Sequence, residues 1–456
     1  MSTLRRNLAL CTGEGLVAMP IVFLTLPGNF IVAMLLTQTF PLGEAIFGVI
    51  VSLLAWCNVF QILIIPLLGR YWTQKQSTLF FSWAHLITWI ALGLALPCIP
   101  ADDMQSAGRW FFLFFGLASL LHSVVGVSWT SWVQEWVPGR LRGRYFGRRN
   151  RLLQLSTVIF LLVAGEALTR LKVITPVLGF QAVIGLSVLL RSFSIFAQYR
   201  ILATSKGRSQ EQGAGIQAQL KVIAGIKPLL WLFGFGFAFG LTANLFGPFF
   251  NVFMYDSLNM TVADVSMLVV ITNVTGAIAM PVWGQFIYRH GCRPIMSIAL
   301  FLWMAPGLAW ALVTPENTWI LKLLFASGGI FSAGFVLGQF NILLKLVPPD
   351  AKTAAISLNV AVTSIAAAIA PILGGLILDH AFIGHDKLHV YHWMSIVHHV
   401  IVILSILVLL RVVEPKSAPL SQAVGAMRSS RQVVALFGMS FLVNYVFTKR
   451  RNGSQE

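Results

Sequence analysis

Apolar runs of about twenty residues alternate with short polar joints along the whole chain. A membrane-crossing helix needs roughly 20 consecutive apolar residues. On that measure the runs fall at about 12–36, 45–68, 77–99, 109–133, 152–170 and 175–200. After a polar stretch from Ser205 to Lys227 they resume at about 229–252, 263–288, 295–314, 318–346, 354–378 and 393–413. No alternating strand pattern appears, and lipid offers no partner for open backbone groups, so helices are the expected elements. The pattern predicts an all-α integral membrane fold of about twelve helices in two six-helix bundles. The bundles are expected at 1–204 and 229–414, joined by a cytoplasmic linker at 205–228 and followed by a tail at 415–456. Ser205–Ala218, rich in Gly, Gln and Ser, marks the boundary between the halves.

Composition supports one membrane unit. The chain is 57% hydrophobic and 10% charged, with mean hydropathy +0.80, where soluble domains carry about 25% charged residues. The net charge of +17 does not point to nucleic acid, because the basic residues fall in short clusters between apolar runs. It sets topology instead. Sorting the joints by side places 26 Lys and Arg on one face and five on the other, with Arg191 inside a span. The richer face is expected to be cytoplasmic, with both termini on it, in a cell membrane. The start of the chain has the basic flank of a leader peptide, but its apolar run is long and carries Glu14, so it is read as the first span. The tail run Val433–Phe447, short and basic on both flanks, is expected to lie in the cytoplasmic interface.

Glu135 to Arg151 packs six arginines between two apolar runs, which predicts a loop on that face. Its skeleton returns 210 residues later, where Pro348 and Lys352 repeat Pro138 and Arg142. A second pair lies 215 residues apart: Gly69-Arg70 after the second run, and Gly284 through Arg289, Gly291, Arg293 and Pro294 after the eighth. Glycine at a helix end allows a tight exit, and Gly291 can adopt a positive φ.

These residues carry a family resemblance. Gly284–Pro294 resembles the loop after the second helix of each half in the major facilitator superfamily, with Tyr288 where that family has an acidic residue. Gly69 is a degraded copy. Glu135, Pro138, Arg142 and Gly143 are similar to the family's E-x-x-P-x-x-x-R-G loop after the fourth helix, and Pro348 and Lys352 take the matching place after the tenth. The resemblance implies two bundles related by a pseudo-two-fold axis, with a central solute site that opens alternately to either side. It implies that these loops gate, and that the first, fourth, seventh and tenth helices line the path.

Polar groups inside spans are costly, so each is a candidate for the path or for a helix contact. Pro27-Gly28-Asn29 interrupts the first span, and Asn244, Gly247-Pro248 and Asn251 interrupt the seventh. Such breaks in corresponding spans point to the site of a secondary transporter. His122 sits near the middle of the fourth span, and Arg191 inside the sixth needs a partner or a wet cavity. Glu166 in the fifth is either a protonatable group or substrate contact, or a carboxylate bonded to Arg170 one turn away. Glu14 is read as an acid near a helix N-terminus, and Trp129, Trp132 and Trp136 as an interfacial belt. Gln61, Asn273, Gln339 and Asn341 complete the set. His398 and His399, adjacent and so on different sides of a helix, do not make a metal site with His389 and His392. The four cysteines are scattered without a CxxC pair.

The expected function is non-ATP transport of a small organic solute across the bilayer by a monomer, without cofactor, metal or nucleic acid. No nucleotide-binding G-x-x-x-x-G-K-[ST] loop occurs. Proton coupling rests on Glu166, Glu14 and His122. The rival readings are a transporter-like sensor or assembly protein, and an enzyme acting on lipid-linked substrates, for which the dispersed carboxylates argue poorly.

Overall fold

The computed structural model describes residues 3–428 apart from 27, 69–70, 172–173, 176, 203–215, 349–351 and 416. Gly69 and the run 433–447 therefore lie outside the described residues. So do the side chains of Arg142, Gly143 and Lys352, whose backbone is helical. Among the described residues, twelve helices are long and apolar enough to cross a membrane, and no strand occurs.

The first span is Thr3–Leu24, which breaks and continues as Phe30–Met34 and a π turn, Leu35–Thr39. The second to sixth are Glu44–Leu68, Gln74–Ala95, Met104–Trp136, Gly139–Leu171 and Leu178–Tyr199. A short helix, Ile216–Ala224, precedes the seventh span, Lys227–Phe246, which continues as Phe249–Asp256. The eighth to twelfth are Val262–His290, Cys292–Gly307, Trp319–Leu346, Lys352–Ala381 and Lys387–Leu404. The face bearing the arginine stretch is called the basic face below, and the other the acidic face.

The arginine stretch is not a loop. The fourth helix runs to Trp136 and the fifth begins at Gly139, so the joint is Val137-Pro138 and all six arginines lie on helix. Charges outside the hydrocarbon do not end a helix; proline does, by restricting the residue before it. The repeat holds at this level. Val137 and Val347 each cap their helix in extended conformation, and proline follows each.

The buried apolar side chains divide unevenly. One cluster joins the first six spans to Phe249, Phe253, Val265, Trp310 and Tyr391 at the acidic-face ends of the second half. At the basic face the halves keep separate clusters, one around Trp132 and Val133, the other around Met296 and Ile342. Apolar packing thus binds the halves together toward the acidic face.

Candidate functional site

A cavity of about 790 Å³ lies between the halves. Leu26 and Gly28 at the break of the first span line it, with Val51 to Asn58 of the second, Leu232 to Pro248 of the seventh, and parts of the tenth and eleventh. Asn58, Asn244, Gln339, Asn359, Thr363 and Ser364 bring polar groups to a mostly apolar wall, and no charged side chain lines it among the described residues. Ser123 donates to Asn58 Oδ1 at 3.0 Å, which fixes that amide. The Asn244 amide donates to the Gly240 carbonyl at 2.7 Å. Such a wall can hold an uncharged, partly polar solute through a few directed hydrogen bonds.

The acidic-face end is closed. Asp379 accepts the Glu44 and Ala45 N–H groups at 2.9 and 3.1 Å, and the Asn251 amide donates to the Gly28 carbonyl at 3.0 Å. Tyr391 donates its hydroxyl to Glu44 Oε1 at 3.2 Å. The second and eleventh helices can come this close because Gly48 lies against the Pro371 carbonyl and Gly375 against that of Glu44. A β-carbon at either position would clash with backbone.

A second polar assembly lies within the first half, around a cavity of about 190 Å³. Glu14 Oε1 accepts from Arg149 Nη2 at 3.2 Å and from Trp129 Nε1 at 3.0 Å. Glu14 Oε2 accepts from Ser194 Oγ at 3.2 Å and Gln198 Nε2 at 3.0 Å. Arg149 also donates to the Cys11 carbonyl and lies over the Trp129 ring, 4.6 Å from its centroid. Arg191 donates to Ser194 and Ser82, and the His85 and His122 rings are 5.7 Å apart. Glu14 is therefore no cap. Its helix begins at Thr3, three turns earlier, and the carboxylate is buried among four donors. Trp132 is fully buried and Trp129 is tied to Glu14, so neither forms an interfacial belt.

The structure sorts the residues singled out from sequence. Asn244 and Gln339 line the central cavity, and His122 and Arg191 meet at the smaller one. Asn29 is taken up by the break in its own helix: its Oδ1 accepts from Ile31 and Val32 N–H, and its amide donates to the carbonyls of Phe23, Leu24 and Leu26. The Asn341 and Asn273 amides donate to carbonyls four residues back. Gln61 is buried on the second helix, outside the cavity lining. Glu166 is exposed and paired with Arg170, and it lines neither cavity. His398 and His399 do share a site: both are buried with ring centroids 5.0 Å apart, beside a cavity of about 320 Å³. Phe250 packs against both rings and lines the same cavity.

Of the residues expected to gate, Gly291 has φ +93° at the turn between the eighth and ninth helices, and Arg293 donates to the Val412 carbonyl at 3.1 Å. Gly284 lies within the eighth helix, Arg289 and Glu135 are exposed, and Pro138 and Pro348 are half-buried. Glu414, unnoticed in the sequence, accepts from the Cys292 and Arg293 N–H groups and from Lys345. Asn58, Asn359, Thr363 and Ser364 were also passed over. Spacing of Asn359 and Thr363 by four residues on one helix face was the usable clue.

Residues 232–448 match the sequence model of the Major Facilitator Superfamily. No curated protein matches the chain in sequence. Among solved structures, the nucleoside transporter NupG is similar at 14% identity and TM-score 0.65, over 90% of this chain and 99% of that one. A bacterial homologue of the iron transporter ferroportin, in an inward-facing state, is similar at 14% identity and TM-score 0.70 with the same coverage. A D-xylose-proton symporter is similar at 12% identity and TM-score 0.65, over 92% of this chain and 99% of that one. At these identities the likeness is one of fold. The second half of the chain thus matches that family's sequence model, and the twelve spans share the fold of these solved transporters.

Proposed function

We propose that this protein is a secondary transporter moving a small, uncharged organic solute by alternating access, here open to the basic face and closed at the acidic one. The observation that carries this is the cavity between the halves, lined by both, whose mostly apolar wall carries a few amides and hydroxyls and no charge among the described residues. Apolar packing that unites the halves only toward the acidic face supports the direction of opening. The basic face is the cytoplasmic one on the positive-inside rule. Two similar structures are named for a nucleoside and for D-xylose, solutes of the class such a wall suits. Coupling through Glu166 is not part of the proposal, because its carboxylate is exposed and paired outside the path.

The test is counterflow of labelled solute in proteoliposomes, after a thermal-shift screen of sugars and nucleosides has found a ligand. Accumulation above equilibrium, lost in Asn244→Leu, is the expected result. Binding without counterflow would instead favour the sensor reading.

A further inference from the structure

We propose that the buried cluster of the first half is a binding site for a small monovalent anion, separate from the central cavity. The argument is one of charge. Arg149 and Arg191 are 8% and 5% exposed, and guanidinium groups do not deprotonate in proteins. Against these two cations, Glu14 is the one carboxylate at this cavity among the described residues. Its two oxygens already accept four donors, which fills its lone-pair sites. Arg191 reaches it only through Ser194, and Arg191 Nε has no hydrogen-bond partner. His85 and His122, the other titratable groups here, can only add positive charge.

No helix end supplies the missing negative charge. The macrodipole acts over the last turn, whereas Arg191 lies nine residues before the cap at Arg200. The carbonyls there are already engaged by Lys75, which donates to Tyr199 and Ile201. An uncompensated buried cation is expensive. The adjoining cavity of about 190 Å³ is far larger than the roughly 10–15 Å³ that one water requires. A chloride ion or the carboxylate of a small organic acid meets both the charge and the size, bound between Arg191 and His122.

The full chain is purified with gluconate as the sole anion and titrated at constant ionic strength with chloride and, separately, with acetate. Thermal unfolding and Trp129-dependent fluorescence are read together. A saturable upward shift in the unfolding midpoint is expected with at least one anion: chloride alone assigns an inorganic ion, and acetate alone an organic carboxylate. Arg191→Gln should abolish the response, and Arg170→Gln should retain it. Should Arg191→Gln fail to fold, Ala18→Val narrows the same cavity without touching a charge and must weaken the response. No saturable response in the wild type, or an undiminished one in a folded cavity variant, overturns the proposal. Because the readout is binding at this cluster, that failure would leave the transport reading of the central cavity untouched.

Discussion

Asp379 holds Glu44 by its backbone: the carboxylate, near the end of the eleventh helix, accepts the N–H groups of Glu44 and Ala45 at the start of the second. Those N–H groups are the unsatisfied donors of a helix N-terminus, and an anion is the partner their dipole favours. The cap therefore comes from the opposite half of the molecule. Opening the acidic face must break it.

Asp379→Ala should accordingly shift the population toward the state open at the acidic face. Losing an N-cap costs about 0.5–2 kcal/mol, or roughly 2- to 30-fold in that equilibrium. Val252 is 1% exposed and lines a separate cavity of about 260 Å³ at this face, beside Glu44 and Asp379. In a Cys98→Ser background, labelling of Val252→Cys by an impermeant maleimide should accelerate by the same factor. An unchanged rate would show that Asp379 does not hold the face shut.

Glu14 and Arg149 should couple strongly. Removing one partner of a buried pair leaves the other charge stranded, at a cost of about 3–5 kcal/mol. Glu14→Gln strands the Arg149 guanidinium, whereas Glu14→Gln with Arg149→Met removes that stranded charge as well. A double-mutant cycle on unfolding free energy should give a coupling of about 1–3 kcal/mol. Strict additivity would mean that the pair contributes nothing beyond its separate parts.

Glu414 provides a pH test outside the membrane. Burial alone would raise its pKa, but hydrogen bonds from the Arg293 N–H, Lys345 and the Cys292 N–H together hold it below its ordinary 4.5. A depressed carboxylate pKa means that its stabilisation is complete above the unfolded-state value and fades as pH falls through the folded one. Glu414→Gln should therefore unfold at lower temperature than wild type at pH 7, with the gap closing below pH ~4. Gly291 tests the same joint sterically, since at φ +93° its β-carbon would lie 2.8 Å from Ser417. Gly291→Ala should cost about 1–3 kcal/mol at every pH.

The spans were legible because a bilayer demands some twenty apolar residues whatever else a helix does. Helix ends were not. Arg140 to Arg151 reads as a loop by charge, yet a helix projecting into the basic face carries charge freely. Amides inside the spans divided by whether they border space. Gln339 and Asn244, the latter also bonded to the Gly240 carbonyl, line the central cavity, while Asn29 and Asn341 satisfy carbonyls of their own span and do not line it. Polarity in a span shows that a partner exists, but not whether the partner is backbone or solute. The Glu14 cluster joins residues 115 to 184 positions apart, a proximity that helical spacing cannot reveal.

That distinction yields the last prediction. Asn244 and Gln339 line the cavity between the halves, while the Asn341 amide donates to the Leu337 carbonyl at 2.7 Å and does not line it. A hydrogen bond to a bound neutral solute contributes about 0.5–1.5 kcal/mol, so losing one should raise the half-saturating solute concentration roughly 2- to 13-fold. Gln339→Leu and Asn244→Leu should each show that rise in counterflow. Asn341→Leu, two residues from Gln339 on the same helix, should change it less than about twofold, because it removes only a local bond to backbone. If Asn341→Leu proved as damaging as Gln339→Leu, the solute would have to lie on the other face of the tenth helix. The central cavity would then not be its site.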